Sequence, residues 1–261
     1  MSTLGPPSTP KVDVNSIVLP VPSIPHKELQ REDLKDRMIV VGDIHGCLEE
    51  FKELLVKAEF EPSTTSVLLL GDLVNKGLYS DEVVQYARAI NAFCIRGNHD
   101  DYALKYALGL VPSPIPEHLS YLSRLSPEDI AWLRDLPYTI TIPSWKIICV
   151  HAGLVPGKAL EEQSYIDITL MRNLLTDDSG RLTPTSSGSI GEPWVSKWQG
   201  NGEGWTVLFG HDAKRMLQRG ENYWGLDTGC SYGKMLSALV LPRQQLVQVK
   251  AKQVYQEIVD K

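Results

Sequence analysis

The sequence predicts an α/β fold in which a parallel sheet forms first and a second sheet packs onto it. Three observations carry this. Apolar runs alternate with helix-like segments early in the chain, strand-like runs dominate later, and 261 residues are enough for the core of one large α/β domain.

Residues Met1 to Asp36 hold six prolines and no sustained periodicity. They read as an extended or disordered arm, with the folded domain spanning residues 37–261 and its first strand near Met38. The runs Met38–Val41, Val67–Leu70 and Phe93–Ile95 are expected strands, and Cys47–Ala58, Asp81–Ile90 and Asp100–Leu108 are expected helices. That order is β-α-β-α-β, which implies parallel strands. A helical insertion follows, because Ser126-Pro127-Glu128-Asp129 has the form of a capping box with proline at the first helical position. The later expected strands are Ile147–Val150, Val207–Phe209, Leu236–Leu241 and Leu246–Val249, with a Gly/Ser/Thr-rich loop at Thr183–Gly191.

Composition narrows the function. A net charge of -6 offers no broad attraction to nucleic acid or to an anionic membrane, so a polyanionic substrate has to be captured by local positive charge. Cys47, Cys94, Cys149 and Cys230 are far apart and lack C-x-x-C spacing. With no secretory leader in view, a reducing cytoplasm is expected. No apolar run approaches the ~18 residues of a membrane span. The sequence carries no signal of oligomeric state.

Each of the first three strands runs into a Gly-flanked polar cluster: Gly42-Asp43-Ile44-His45-Gly46, Gly71-Asp72-Leu73-Val74-Asn75-Lys76-Gly77 and Gly97-Asn98-His99-Asp100. Two later strands end in Val150-His151-Ala152-Gly153 and Phe209-Gly210-His211-Asp212. Taken singly, an Asp-x-His after a strand is ordinarily a turn or helix cap, and a lone histidine at a strand end is ordinarily structural. Five such clusters in order, holding four of the six histidines, point instead to convergence on one site, because open α/β sheets bind ligands outside the carboxyl ends of their strands. Carboxylate and imidazole donors suit Mn, Fe, Zn or Mg better than a thiolate site would.

The ordered set GDIHG, GDLVNKG, GNHD, VHAG and FGH resembles the calcineurin-like metallophosphoesterases, in their phosphoprotein-phosphatase branch. Within that branch, Lys76-Gly77 in place of Arg-Gly, with Leu226-Asp227-Thr228-Gly229-Cys230, looks like the ApaH-like phosphatases, relatives of bacterial diadenosine tetraphosphatase. The resemblance covers Met38 to about Leu241 and implies two packed mixed β-sheets flanked by helices.

It also implies a site. Asp43 and His45 would hold one divalent metal ion and Asn98, His151 and His211 a second, with Asp72 bridging the two. Manganese is the first expectation among Mn, Fe, Zn, Mg and Co. Such a pair lowers the pKa of a shared water and holds phosphoryl oxygens for in-line attack. His99 would be the general acid. Asn75 stands where the protein phosphatases carry an aspartate paired with that histidine, which puts the pairing in doubt and predicts a lower His99 pKa. Leu78 replaces an expected proline, predicting a less rigid loop. Lys76, Arg96, Arg172 and Tyr232 are candidate substrate-binding residues. Lys214, Arg215 and Arg219 offer further charge, and Trp194 and Trp198 offer rings, though packing is the better reading of the tryptophans. The expected substrates are dinucleoside polyphosphates, inorganic polyphosphate or the triphosphate bridge of capped RNA. The alternatives are a serine/threonine phosphoprotein phosphatase and, in another class, a catalytically inactive nucleotide-binding scaffold.

Overall fold

A computed structural model of the chain describes residues 13–257. Strands β2 (Arg37–Val41), β3 (Thr65–Leu69) and β4 (Phe93–Cys94) follow β1 (His26–Glu28), and helices α1 (Leu48–Lys57), α2 (Ser80–Ala89) and α3 (Asn98–Ala107) follow β2, β3 and β4 in turn. Next come α4 (Pro127–Asp135), β5 (Thr139–Ile142), β6 (Ile147–Val150) and α5 (Tyr165–Leu170). The remaining strands are β7 (Asn173–Thr176), β8 (Leu182–Thr185), β9 (Glu192–Pro193), β10 (Thr206–Phe209), β11 (Gln218–Gly220), β12 (Tyr223–Gly225), β13 (Met235–Leu241) and β14 (Gln245–Lys250).

Two mixed sheets result, ordered β14-β13-β2-β3-β4 and β1-β5-β6-β10-β12-β11, with a small sheet β8-β7-β9 beside them. The β2, β3 and β4 strands are parallel, as β-α-β connections require. Alternation along the strands explains why both faces are apolar. Met38, Val40, Leu68, Leu70 and Leu239 meet Ile140, Cys149, Leu208 and Trp224 between the large sheets, whereas Ile39, Val41, Val67, Leu69 and Ala238 pack beneath α1, α2 and α3. Ile148, Val150, Val207 and Phe209 cover the outer face of the second sheet, together with Trp194 and Trp198. At α4 the capping box forms as its sequence predicts: Asp129 N donates to Ser126 Oγ (3.1 Å) and Ser126 N to Asp129 Oδ2 (2.9 Å).

Two expectations are corrected by the structure. Within the expected arm, β1 pairs in parallel with β5, and the Leu29 that follows it is buried between the sheets. An edge strand needs only backbone pairing, so His-Lys-Glu carries no hydrophobic signature. The expected loop at Thr183–Gly191 begins inside β8, which pairs antiparallel with β7. The tail after β14 is also tied down, because Lys252 N and Tyr255 Oη both donate to Glu50 Oε1 of α1 at 2.7 Å. Among the described residues no helix is long and apolar enough to cross a membrane.

Candidate active site

The five clusters do converge. Asp43 and His45 follow β2, Asp72 follows β3, Asn98 opens α3 just after β4, His151 directly follows β6 and His211 lies just past β10. In each histidine one ring nitrogen faces a backbone carbonyl: His45 Nδ1 lies 2.9 Å from Val74 O, His151 Nδ1 2.8 Å from Leu70 O and His211 Nε2 3.1 Å from Leu170 O. Donating there turns the other nitrogen's lone pair inward. His45 Nε2 lies 3.4 Å from Asp72 Oδ2 and 3.8 Å from Asp43 Oδ2, and His151 Nε2 lies 3.4 Å from Asp72 Oδ1. Asn98 Oδ1 is 3.0 Å from both His151 Nε2 and His211 Nδ1. Asp72 thus has one oxygen toward each histidine group.

This donor set fits two divalent cations. Lone pairs and carboxylate oxygens facing one another repel unless positive charge sits among them, and oxygen plus imidazole is a donor mix that divalent first-row ions and magnesium accept. Positive charge from the protein's own side chains also faces this cluster. Lys76 Nζ reaches to 2.6 Å from His45 Nε2. Burial works against charge on His151, but Asp72 outweighs it and raises this histidine to about 10. Burial and the neighbouring Asp227 push Asp43 well above the usual carboxylate range, and burial raises Asp227 as well. Burial also opposes the Asp72 carboxylate, but His151 and His99 hold it well below its ordinary value. His45 and His211 are kept low, by burial first and then by Lys76 and Arg172 respectively, so they present neutral imidazole.

The backbone around these residues is strained where function needs it. His45, Asp72, Asn75, Lys76 and His211 all have positive φ, between 48° and 71°, a region in which a non-glycine residue costs about 1–2 kcal/mol. Gly97 and Gly210 show the converse constraint: a Cβ on either would collide with a carboxylate oxygen, of Asp72 and Asp43 respectively. Asp100 secures the same loops, accepting from Asp72 N (2.8 Å), Leu73 N (3.0 Å) and Gly97 N (2.9 Å).

His99 packs edge-on to His45 with ring centroids 4.8 Å apart, and its backbone N donates to Asp72 Oδ1 at 2.9 Å. Asn75 lies against it. Asn75 Nδ2 is 3.2 Å from both His99 O and His99 Nδ1, while Asn75 Oδ1 accepts from Tyr121 Oη at 2.7 Å. The His99 carbonyl demands the amide nitrogen on its side, so Nδ1 accepts and the neutral ring carries its proton on Nε2. Burial pushes His99 down to about 4, with Asp72 opposing and Lys76, His151 and Arg172 assisting.

Of the other candidates, Lys76 stands over the Tyr232 ring at 5.0 Å, and half-buried Arg172 borders the His211 loop, donating to Ser186 O (3.2 Å) and His211 O (3.5 Å). Arg96 is a correction: it is fully buried, 2.7 Å from Asp101 and bonded to Arg134 O and Tyr138 Oη, so its charge is committed to the fold and not to a substrate. Arg215 binds Asp212 and Asn173, and Arg219 lies over Trp224 at 4.5 Å. Trp194 and Trp198 are core residues. Sequence reasoning assigned no role to Asp227, Tyr121 or Asp100. The Leu226-Asp227-Thr228-Gly229 turn after β12 carried a strand-end signal, whereas Tyr121 carried none.

The chain matches the model of the calcineurin-like phosphoesterases over residues 37–236. It is 27% identical to the symmetrical bis(5'-nucleosyl)-tetraphosphatase of Methylobacillus flagellatus, covering 80% of this chain and 93% of that one. With the asymmetrical enzyme of Halalkalibacterium halodurans it shares 26% identity over 82% and 94% of the two chains. A crystal structure of a candidate diadenosine tetraphosphatase superposes with a TM-score of 0.78 at 34% identity, over 87% of this chain and 97% of the other. A serine/threonine phosphatase from Saccharomyces cerevisiae shares the fold at a TM-score of 0.55 and 15% identity, over 92% and 85%. Because the matched residues 37–236 span most of the chain and take in every strand-end cluster that converges on Asp72, this chain belongs to the calcineurin-like phosphoesterase family.

Proposed function

We propose that this phosphoesterase cleaves phosphoanhydride bonds in dinucleoside polyphosphates of the diadenosine tetraphosphate type. The observation that carries the reading is the inward-turned lone pairs of three histidines and one amide around Asp72, in a chain whose relatives are named for that substrate. Asp43 and His45 would hold one divalent ion, Asn98, His151 and His211 the other, and Asp72 both, with manganese the first expectation. When bound, such ions supply Lewis-acid charge and a water of lowered pKa. The chain's own residues do the rest. Lys76 and Arg172 stand at the margin of the centre with positive charge for non-transferred phosphates, and the neutral His99 ring offers its Nε2–H as a hydrogen-bond donor to the departing phosphate oxygen, full proton transfer requiring the imidazolium form. Four buried free cysteines suit a reducing cytoplasmic setting.

The test is a substrate panel run with Mn, Mg, Zn and Co, comparing diadenosine tetraphosphate, long-chain polyphosphate, capped RNA and a phosphoserine peptide. The dinucleotide is expected to show the highest kcat/KM. A clear preference for the peptide would make the chain a phosphoprotein phosphatase, and metal binding without turnover of any substrate would make it a scaffold.

A further inference from the structure

A cavity of about 1220 Å³ opens directly from the proposed centre, with Lys76, Asn98 and His99 at its inner end. That is larger than the roughly 300–1,000 Å³ of ordinary ligand sites. Its character changes with distance from the metal ligands. Beyond His99 the walls become Tyr102 of α3, stacked at 16° on His118 with ring centroids 6.0 Å apart, and Tyr165 of α5, stacked at 16° on Tyr138 at 4.7 Å. Charge is sparse there: among the described residues that line the cavity, Lys105 is the one lysine or arginine besides Lys76, its Nζ donating to Val14 O at 3.0 Å, and Asp101 is paired with Arg96. A long polyphosphate chain would meet little positive charge along this part of the cavity. A flat aromatic base would meet two aromatic pairs in the lining, and base-on-ring stacking is worth about 1–3 kcal/mol per base.

The outer wall comes from a stretch that the family match does not include. Residues Ile17 to Val21 line the cavity, whereas the match begins at residue 37. Leu19 pins this stretch in the helix-side core, Lys105 holds it at Val14, and Pro20 and Pro22 restrict its backbone. Val18 (80% exposed) and Val21 (50%) turn apolar surface toward the opening, and Ile166 (60%) does so from α5. Exposed aliphatic groups beside polarised phosphate-binding residues make an amphipathic slot, apolar outside and charged within.

We propose that the cavity seats one nucleoside of the substrate, its base against the Tyr102 and Tyr165 faces under the Ile17–Val21 wall, so that the segment before the phosphoesterase domain determines substrate specificity. This rests on the dinucleoside polyphosphate reading. Phosphates would then run inward to Lys76 and His99, and the two ends of the slot match the two chemistries of a nucleotide.

Steady-state kinetics of the full-length protein on diadenosine tetraphosphate and on inorganic tripolyphosphate, which has no base, tests it. In Tyr102→Ala and in Val18→Glu the ratio of kcat/KM for the dinucleotide to that for tripolyphosphate is expected to fall about tenfold, through KM, and Tyr102→Phe is expected to restore it. An unchanged ratio in both Tyr102→Ala and Val18→Glu overturns the inference. Should Tyr102→Ala fail to fold and lose both activities, Val18→Glu decides alone, because its side chain projects into solvent. A wild-type protein that cleaves tripolyphosphate but not the dinucleotide overturns the substrate reading, and this inference with it. A wild type that cleaves both, with variants that do not discriminate, overturns the inference only.

Discussion

Asn75 shows how one atom changes the protonation of a neighbouring histidine. Its amide nitrogen faces His99 Nδ1 at 3.2 Å, so a second proton on the ring would point at another donor. A carboxylate in that place would accept the proton and stabilise the imidazolium. If His99 must be protonated to act, activity falls at high pH as it loses that proton. Asn75→Asp should therefore move the alkaline limb of the pH-rate profile upward, by roughly 1 pH unit or more. A limb that stays in place or moves down would refute the pairing. Some stability should be lost, about 1 kcal/mol, because a carboxylate oxygen would then face the His99 carbonyl. Residue-scale reading of the sequence was good where chemistry is local and poor where it is spatial. Asp43, Asp72, Asn98, His151 and His211 each follow an apolar run and could be picked out for that reason. Arg96 sits in the same kind of position, but its side chain turns away from the centre to Asp101, a choice that depends on α3 and α4.

At the scale of elements, the site is a set of strand ends held in register by loops, and Asp100 binds two of those loops together. Its Oδ2 accepts from Asp72 N and Gly97 N and its Oδ1 from Leu73 N, so the turn after β3 and the start of α3 cannot separate without breaking bonds to one side chain. In Asp100→Asn either orientation of the amide leaves at least one buried N–H without an acceptor, costing about 1–3 kcal/mol. For a chain of this size that corresponds to a melting temperature lower by roughly 3–10 °C. Scanning calorimetry measures this directly, and an unchanged Tm would mean that the loops are held by something else. The same scale explains which elements were legible. The β2, β3, β10 and β13 strands are buried on both faces and so appear as apolar runs. By contrast β1, β9 and β11 are two or three residues long and carry no aliphatic or aromatic run, which leaves no periodicity to find. The aromatic wall of the cavity was missed likewise: Tyr102 and Tyr165 lie on separate helices, and only the fold brings them to the lining of one cavity.

At the scale of the whole molecule, both large sheets deliver carboxylates to one buried centre. Asp43, Asp72 and Asp227 are all buried, and without cations the protein draws protons into the centre, onto His151 above all. Divalent ions must displace those protons, so metal binding should release protons and tighten as pH rises. The stability consequence has a definite sign. The His151 pKa rises on folding, from an ordinary 6.5 to about 10, because Asp72 outweighs burial. Its stabilising contribution is thus fully present below about pH 6.5 and lost as pH rises through about 10. Chelated protein should therefore melt at progressively lower temperature across that window. Metal-loaded protein, in which cations have replaced the proton, should not show the same decline, so the gap between the two forms should widen with pH. At an ion concentration about 100 times Kd each bound ion contributes about 2.7 kcal/mol, which makes the gap several degrees or more. Melting curves at several pH values with and without chelator, together with calorimetric metal titrations in two buffers of different ionisation enthalpy, measure both effects. A chelated protein whose Tm is flat or rises from pH 6.5 to 10, or a titration with no net proton release, would show that His151 does not hold the proton that the cations replace.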